Sequence, residues 1–148
     1  MRHALKCAFA VLVSLAMPAA AHAAATVEIG ALMIDNDAGV CRVRLYAFNN
    51  GDRVIEAFAG RIELRGKTSG ALNYFSFDLI DPGRNRSEEL WFDAPCESGG
   101  RLAVREIIRC IYQAADRPSC AAEVGTTRLS RNGKPIPSIP VELRLPAP

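Results

Sequence analysis

The chain has 148 residues, among them 18 lysines and arginines, 16 aspartates and glutamates, five cysteines and two histidines. This length is enough for one domain with a sizeable hydrophobic core, and it is too great for a miniprotein held together by disulfides alone. The chain is too short, and its charges are too evenly balanced, for a multidomain machine that acts on nucleic acid. The composition therefore indicates one small globular domain.

The N-terminus has the three-part layout of a secretory signal peptide. A short basic start precedes an apolar run over residues 7–17, Pro18 ends that run, and residues 21–23 form the small-x-small pattern of a cleavage site. The apolar run is well short of the roughly 20 residues that a membrane-spanning helix needs. We therefore expect cleavage after Ala23, with Ala25 as the alternative, and no membrane span in the cleaved chain.

Cleavage after Ala23 changes the composition that matters for folding. The predicted leader, residues 1–23, contains two of the cationic residues, both histidines and one cysteine, which leaves 16 cations, 16 anions and four cysteines in residues 24–148. An even number of cysteines in an exported chain is typical of a disulfide framework. Together with the alanine- and arginine-rich composition, this predicts a single domain over residues 24–148, located in the bacterial periplasm or secreted.

Beyond the leader, apolar and polar residues alternate in short runs, which is how β-strands appear in a sequence. In residues 40–48, for example, Cys41 and Val43 fall on one face and Arg42 and Arg44 on the other. The alternation predicts strands over residues 26–34, 40–48, 54–65, 71–80, 86–92 and 102–112. Turn-forming residues separate the first five strands at positions 35–39, 49–52, 66–70 and 81–83.

Residues 102–112 also fit a helical spacing, but their β-branched content favours a strand. Glu106 falls on the apolar face of that strand, which predicts a β-bulge or an exposed end there. Further on, Asn132-Gly133 predicts a hairpin between residues 126–131 and 135–139, and Pro140 places the last strand at a sheet edge. Seven to nine strands, with turns about every ten residues, predict an antiparallel β-sandwich.

The four cysteines beyond the leader permit three pairings. If successive strands alternate in direction, Cys41 and Cys96 fall at one end of the sandwich, whereas Cys110 and Cys120 fall at the other. This placement favours the disulfides Cys41–Cys96 and Cys110–Cys120. Cys41–Cys110 with Cys96–Cys120 is the competing pairing, because Cys41 and Cys110 both face inward by strand parity. The spacing of the four residues fits no zinc motif.

The chemistry available to residues 24–148 is limited by the lack of histidine. Neither a Ser-His-Asp triad nor a histidine-based metal site can be built, and no glycine-rich phosphate loop is present. Carboxylates remain, but the adjacent Glu88 and Glu89 point to opposite faces of a strand, and Asp78 and Asp81 bracket a turn. No spacing specifies a paired acid and base, so we expect no catalytic residue and no cofactor.

Arginines and one tryptophan are the candidate binding residues. Arg42 and Arg44 share one strand face, as do Arg105 and Arg109, so the two pairs would form one patch if their strands were neighbours. Guanidinium groups of this kind suit carboxylate or phosphate ligands. Trp91 precedes Phe92 on one strand, so one of the two rings should face outward. Acids interleave with these arginines, which argues against a nucleic-acid partner.

A weaker candidate is a calcium site. Asp35 and Asp37, in the sequence Asp-Asn-Asp-Ala-Gly, resemble the opening of an oxygen-rich calcium loop. The twelfth position counted from Asp35 is Tyr46, where an EF-hand needs a bidentate glutamate. A polar turn is therefore the alternative interpretation of these residues.

Residues 40–64, followed by Phe75-x-Phe77 and Asp81-Pro82-Gly83, resemble secreted bacterial immunoglobulin-like modules of the FxLYD kind. In those modules a strand ends in an Asn-Gly turn, a second amphipathic strand follows, and a Pro-Gly turn precedes another strand. The likeness covers about the middle third of the chain, and the four cysteines and the C-terminal hairpin depart from it. It implies an immunoglobulin-like sandwich and a non-catalytic role.

The sequence as a whole predicts a non-catalytic binding or accessory module that contacts a protein partner in the cell envelope. The surfaces expected to bind are the arginine-bearing sheet face and the C-terminal edge over residues 135–145. A small envelope hydrolase with paired carboxylates and a calcium- or anion-binding module are the alternatives. Two carboxylates about 5–10 Å apart in a cleft would favour the hydrolase.

Overall fold

A computed structural model describes residues 25–37, 39–67, 70–136 and 138–146, and of residues 35–37 it describes the backbone alone. The predicted leader, residues 1–23, lies outside the described residues, as does the alanine that follows it. Regular structure in the described ranges is β throughout, apart from one 3-10 turn at Ala121–Glu123. No helix in these ranges is long and apolar enough to cross a membrane.

Six long strands account for most of the domain, and they confirm the predicted all-β class. They are β1 (Val27–Asp37), β2 (Val40–Asn49), β3 (Ile55–Arg65), β4 (Gly70–Ile80), β5 (Asn85–Phe92) and β6 (Arg101–Tyr112). Four short strands follow, β7 (Val124–Thr126), β8 (Ser130–Arg131), β9 (Lys134–Pro135) and β10 (Val141–Leu143). Residues 102–112 are a strand and not a helix, as their β-branched side chains predict.

The strands form two four-stranded sheets, in the orders β5-β2-β1-β7 and β10-β6-β3-β4, and β8 and β9 pair as a separate hairpin. The six long strands pair in antiparallel fashion within each sheet, whereas β7 runs parallel to β1 and β10 runs parallel to β6. Buried side chains from both sheets belong to one hydrophobic core. Each sheet therefore has one face in the core and one face toward solvent.

The first strand extends further than its sequence predicts. Residues 35–37 continue β1, with Asp37 paired to Val40, so three residues of the predicted five-residue turn belong to the strand instead. Gly39 has a φ of 90°, a left-handed conformation that a glycine adopts without a steric penalty and that closes the turn tightly. A register shift between Met33 and Asp35 accommodates the extra residues.

Two β-bulges in β6 resolve the position of Glu106 and confirm the predicted irregularity there. The register passes from Arg61 opposite Glu106 to Ile62 opposite Val104, which leaves Arg105 as an extra residue. A second shift in the same strand leaves Ile108 extra, and its side chain is 55% exposed. Glu106 thereby reaches the solvent face, where its carboxylate lies 3.3 Å from Arg61 Nε.

Gly60 lies on β3 between Phe75 of β4 and the bulged part of β6. A Cβ atom at this position would be 2.4 Å from the carbonyl oxygen of Glu106 and 2.6 Å from Cζ of Phe75. Phe75 is itself buried against Phe58 in an edge-on contact with ring centroids 5.2 Å apart. A glycine is therefore required here because backbone and a core ring occupy the space of a side chain.

Replacing Gly60 by alanine is expected to destabilise the domain by about 1–3 kcal/mol, because the core ring and the bulge must move apart. Urea unfolding followed by circular dichroism measures the change. Gly70→Ala is the matched control, because the nearest atom to its Cβ is a mobile Glu63 oxygen at 3.3 Å. Equal stability of Gly60→Ala and the control would contradict the packing argument.

The disulfides are Cys41–Cys96 and Cys110–Cys120, as the alternating direction of successive strands favours, and the competing pairing through Cys41–Cys110 is wrong. Cys41, at the start of β2, is joined to the loop that follows β5, with a Cα–Cα distance of 4.8 Å. Cys110 of β6 is joined to Cys120 just before the 3-10 turn, with a Cα–Cα distance of 5.0 Å. Each bridge therefore ties a loop to the core strand beside it.

Removal of the disulfide that closes the longer loop is expected to cost more stability than removal of the disulfide that closes the shorter one. Cys41→Ala/Cys96→Ala removes a bond between residues separated by 55 positions. Cys110→Ala/Cys120→Ala removes a bond between residues separated by 10 positions. Loop entropy puts the losses at about 4 and about 3 kcal/mol. Each variant is the control for the other, because all four cysteines are buried. A reversed order in urea unfolding would show that entropy does not dominate.

Candidate functional site

The predicted arginines lie on two different sheets. Arg42 and Arg44 are on the solvent face of β2, whereas Arg105 and Arg109 are on β6 of the opposite sheet. The condition for a single four-arginine patch is therefore not met, because β2 and β6 are not neighbours. Arg105 instead lies on its own sheet beside Glu63, with 3.7 Å between Nε and Oε2.

On the solvent face of β2, the two arginines meet two side chains of β5. Arg42 is directly opposite Trp91 in the antiparallel register, and Arg44 is directly opposite Glu89. The guanidinium carbon of Arg42 lies 4.7 Å from the centroid of the Trp91 ring, within the range of a cation–π contact. We call these four residues the Trp91 patch.

Glu89 joins the two arginines of the Trp91 patch. Its Oε2 accepts a hydrogen bond from Nη2 of Arg42 at 3.3 Å, and its Oε1 accepts one from Nη2 of Arg44. The hydrogen bond from Arg44, and after it the one from Arg42, holds the pKa of the Glu89 carboxyl below its ordinary value. The same bond raises the pKa of Arg44. The pairs are exposed, so their effect is to orient the side chains more than to stabilise the fold.

Strand alternation explains why Trp91 and not Phe92 faces solvent. Phe92 is opposite Cys41 and lies in the core, whereas Trp91 is opposite Arg42 and is 59% exposed. A large ring directly across from a cation allows a favourable cation–π contact between the two strands. Trp91 therefore remains on the surface while the ring beside it stabilises the core.

The edge of β5 is held against β4 by side chains. Nδ2 of Asn73 donates to the carbonyl of Trp91 at 2.9 Å, and the Ser76 amide donates to Oε2 of Glu88 at 3.0 Å. Such bonds satisfy polar groups at sheet edges that have no neighbouring strand. They also fix the backbone beneath Trp91.

The same sheet face continues away from Trp91 with two more aromatic rings. Tyr46 and Phe48 of β2 are stacked with centroids 6.1 Å apart, and both are half-buried. Leu129 covers Gly30 of β1 closely. A Cβ atom at position 30 would lie 2.7 Å from Cδ2 of Leu129. The segment after β7 therefore bounds this face on the side of β1.

The carboxylates considered for catalysis form no paired acid and base. Glu88 binds the Ser76 amide and Glu89 binds two guanidinium groups, so the adjacent pair points in two directions. Asp78 on β4 and Asp81 in the following turn are both exposed. Glu88 thus attaches β5 to β4, and Glu89 forms ion pairs with the arginines of β2.

The calcium candidates Asp35 and Asp37 have side chains that lie outside the described part of the structure. Their backbone is paired with β2, opposite Arg42 and Val40, and forms a strand where a calcium site would need an open loop. Within the described residues, no group of three histidine, cysteine, aspartate or glutamate side chains could hold a metal ion.

A second polar cluster lies around Tyr112, which is buried. The Tyr112 hydroxyl donates to Oε2 of Glu123 at 2.7 Å, and the guanidinium carbon of Arg53 lies 3.8 Å from the centroid of the Tyr112 ring. Burial, and after it the bond to Glu123, raises the pKa of Tyr112; hydrogen bonds from Thr26 and Tyr112 lower the pKa of Glu123. The cluster anchors the 3-10 turn to β6.

A groove of about 690 Å³ is a site that sequence analysis missed. It is lined by Met33, Leu64, residues 96–100 and residues 138–140. Met33 has the inward parity of β1, but it lines this groove and is 50% exposed. No signal in the sequence indicates the groove, since its walls come from segments that are far apart along the chain.

Of the five predicted binding residues, Arg42, Arg44 and Trp91 converge, while Arg105 and Arg109 lie on the other sheet. Sequence analysis did not assign Glu89 to this site, although its i+2 spacing from Trp91 places both on one strand face. Comparisons of the chain with protein-family models, with curated proteins and with solved structures find no match.

Acidification is expected to open the Trp91 patch below pH 4.5. Because the pKa of Glu89 is lowered from its ordinary 4.5, the ion pairs are intact above that pH and are lost as the pH falls through the lowered value. Arg42 then leaves the ring of Trp91, the only tryptophan in the chain, and acrylamide quenching of its fluorescence increases.

Glu89→Gln should abolish this fluorescence transition, whereas Glu106→Gln, which removes an ion pair on the other sheet, should preserve it. Circular dichroism recorded in parallel distinguishes local opening from unfolding. A transition centred at or above pH 4.5, or one retained in Glu89→Gln, would show that Glu89 does not hold the patch.

Proposed function

We propose that this protein is a non-catalytic, exported binding module that contacts a partner protein of the bacterial cell envelope through the Trp91 patch. The two disulfides are compatible with an oxidising compartment outside the cytoplasm. Tryptophan and arginine are the residues that most often dominate the binding energy of protein interfaces. The Trp91 patch combines both on one rigid sheet face.

The strand order supports an immunoglobulin-like sandwich as the scaffold. The neighbours β5-β2-β1 and β10-β6-β3-β4 correspond to the E-B-A and G-F-C-C′ orders of that architecture. The parallel strands β7 and β10, and a Cys41–Cys96 bridge in place of one between the sheets, are departures from it. The resemblance of residues 40–64 to modules of the FxLYD kind points to the same scaffold.

One observation carries the proposal: a 59%-exposed Trp91 is held by Arg42 at 4.7 Å, and Arg42 is held in turn by Glu89. Contact with a partner would remove much of this ring from water, which is favourable for large apolar groups. A side chain that is already oriented loses little conformational entropy on binding. The arrangement is therefore well suited to anchor an interface.

Trp91→Ala is expected to weaken partner binding by about thirtyfold or more, since the loss of a central interface tryptophan typically costs about 2 kcal/mol or more. Tyr74→Ala is the matched control, because Tyr74 is 57% exposed on the other sheet. A photo-crosslinking residue at exposed position 87, beside the patch, captures the partner from envelope extract, and calorimetry with the purified partner measures affinity.

Both variants should unfold at nearly the wild-type temperature, because both rings are on the surface. Crosslinking from position 87 that excess unmodified protein does not compete away, or equal affinity of Trp91→Ala and Tyr74→Ala, would rule out the Trp91 patch as the binding surface.

A further inference from the structure

The hairpin predicted at Asn132-Gly133 is present in the C-terminal part of the domain. Asn132 and Gly133 have φ values of 52° and 74°, as a two-residue turn of type I′ requires. Ser130 pairs with Pro135 and Arg131 with Lys134, and residues 130–135 are all exposed. We call residues 127–136 the basic hairpin.

The basic hairpin differs from the rest of the surface in its charge. It contains Arg128, Arg131 and Lys134, and no acidic residue occurs between Glu123 and Glu142. Among the described residues, none of these three cations forms an ion pair or a side-chain hydrogen bond. Of the twelve other arginines in the described residues, nine lie within 4.0 Å of a carboxylate oxygen, and Arg84, Arg86 and Arg109 do not. The hairpin therefore concentrates positive charge that the protein itself does not neutralise.

Two of these cations face each other across the hairpin. Arg131 is directly opposite Lys134, and like charges in directly opposed positions destabilise a strand pair. The sheets contain another such pair, Arg65 opposite Arg101, but there Glu63 and Glu142 lie at 4.0 and 3.8 Å from the guanidinium groups. The repulsion in the hairpin would be relieved by an anion supplied from outside.

A groove of about 520 Å³ adjoins the base of the basic hairpin. Arg128 and Pro135 contribute to its walls, and the buried side chains of Leu129 and Ile139 contribute apolar surface. A flat lipid surface would contact the hairpin but would leave this groove empty. An extended peptide would place an acidic side chain at the hairpin and an apolar side chain in the groove.

We propose that the basic hairpin and this groove bind an acidic, partly apolar peptide segment of a partner protein. A carboxylate of the peptide lies between Arg131 and Lys134, and a neighbouring apolar side chain enters the groove beside Arg128. The site shares no residue with the Trp91 patch, so it stands or fails independently of the function proposed for that patch.

The test uses a fluorescein-labelled peptide with the sequence Glu-Leu-Glu-Leu-Glu-Leu, its Gln-for-Glu analogue, and vesicles of phosphatidylglycerol and phosphatidylcholine. Fluorescence anisotropy should show saturable binding of the acidic peptide, weakened by salt, and no binding of the glutamine analogue. Arg131→Gln/Lys134→Gln should weaken binding by roughly tenfold or more, since two charged contacts are lost. Arg65→Gln/Arg101→Gln, which also removes an opposed pair of cations, should bind as the wild type does.

Thermal unfolding provides a second measurement, and its comparison without peptide does not depend on affinity. Without peptide at low salt, Arg131→Gln/Lys134→Gln should unfold at a higher temperature than the wild type, because the repulsion is gone. The peptide should raise the unfolding temperature of the wild type and of Arg65→Gln/Arg101→Gln only. Equal binding of the glutamine analogue, or unchanged binding by Arg131→Gln/Lys134→Gln, would overturn the proposal. So would hairpin-dependent binding of the vesicles without binding of the peptide, and the hairpin would then be assigned to lipid.

Discussion

The inner faces of the two sheets share one hydrophobic core, and the side chains of β2 alternate strictly between that core and solvent. Cys41, Val43, Leu45 and Ala47 are all fully buried, so the residues between them must face outward. A slip of one residue in the register would place Arg42 and Arg44 in the core, at a prohibitive cost in free energy. The Trp91 patch is thus a direct consequence of core packing.

In the second sheet, charged side chains are kept out of the core by β-bulges and not by strict alternation. Strict alternation along β6 would direct Glu106 inward, and the two bulges prevent this by adding Arg105 and Ile108 as extra residues. The close approach that accompanies the bulges leaves no room for a side chain at Gly60. Charged residues on this sheet can then pair with one another at the surface, as Arg61 does with Glu106 and Arg105 with Glu63.

Much of the fold could be predicted because its determinants are local. The alternation of apolar and polar residues located the six long strands to within a few residues, and Asn132-Gly133 located the hairpin. The alternating direction of successive strands also selected the pairing of Cys41 with Cys96, because strand direction fixes which end of the sheet each cysteine occupies. The extent of β1 was mispredicted, since Gly39 allows a shorter turn than the polar residues before it indicated.

The sequence by itself determined that Arg42 and Arg44 face outward, that one ring of the Trp91-Phe92 pair must do so, and that the C-terminal hairpin is basic. Only the tertiary structure decided which side chains these groups meet. Glu89 lies opposite Arg44, and Arg105 lies on the other sheet, because strand order and register join segments that are far apart along the chain. Such pairings depend on how two complete sheets bury a common core, and no local pattern encodes them.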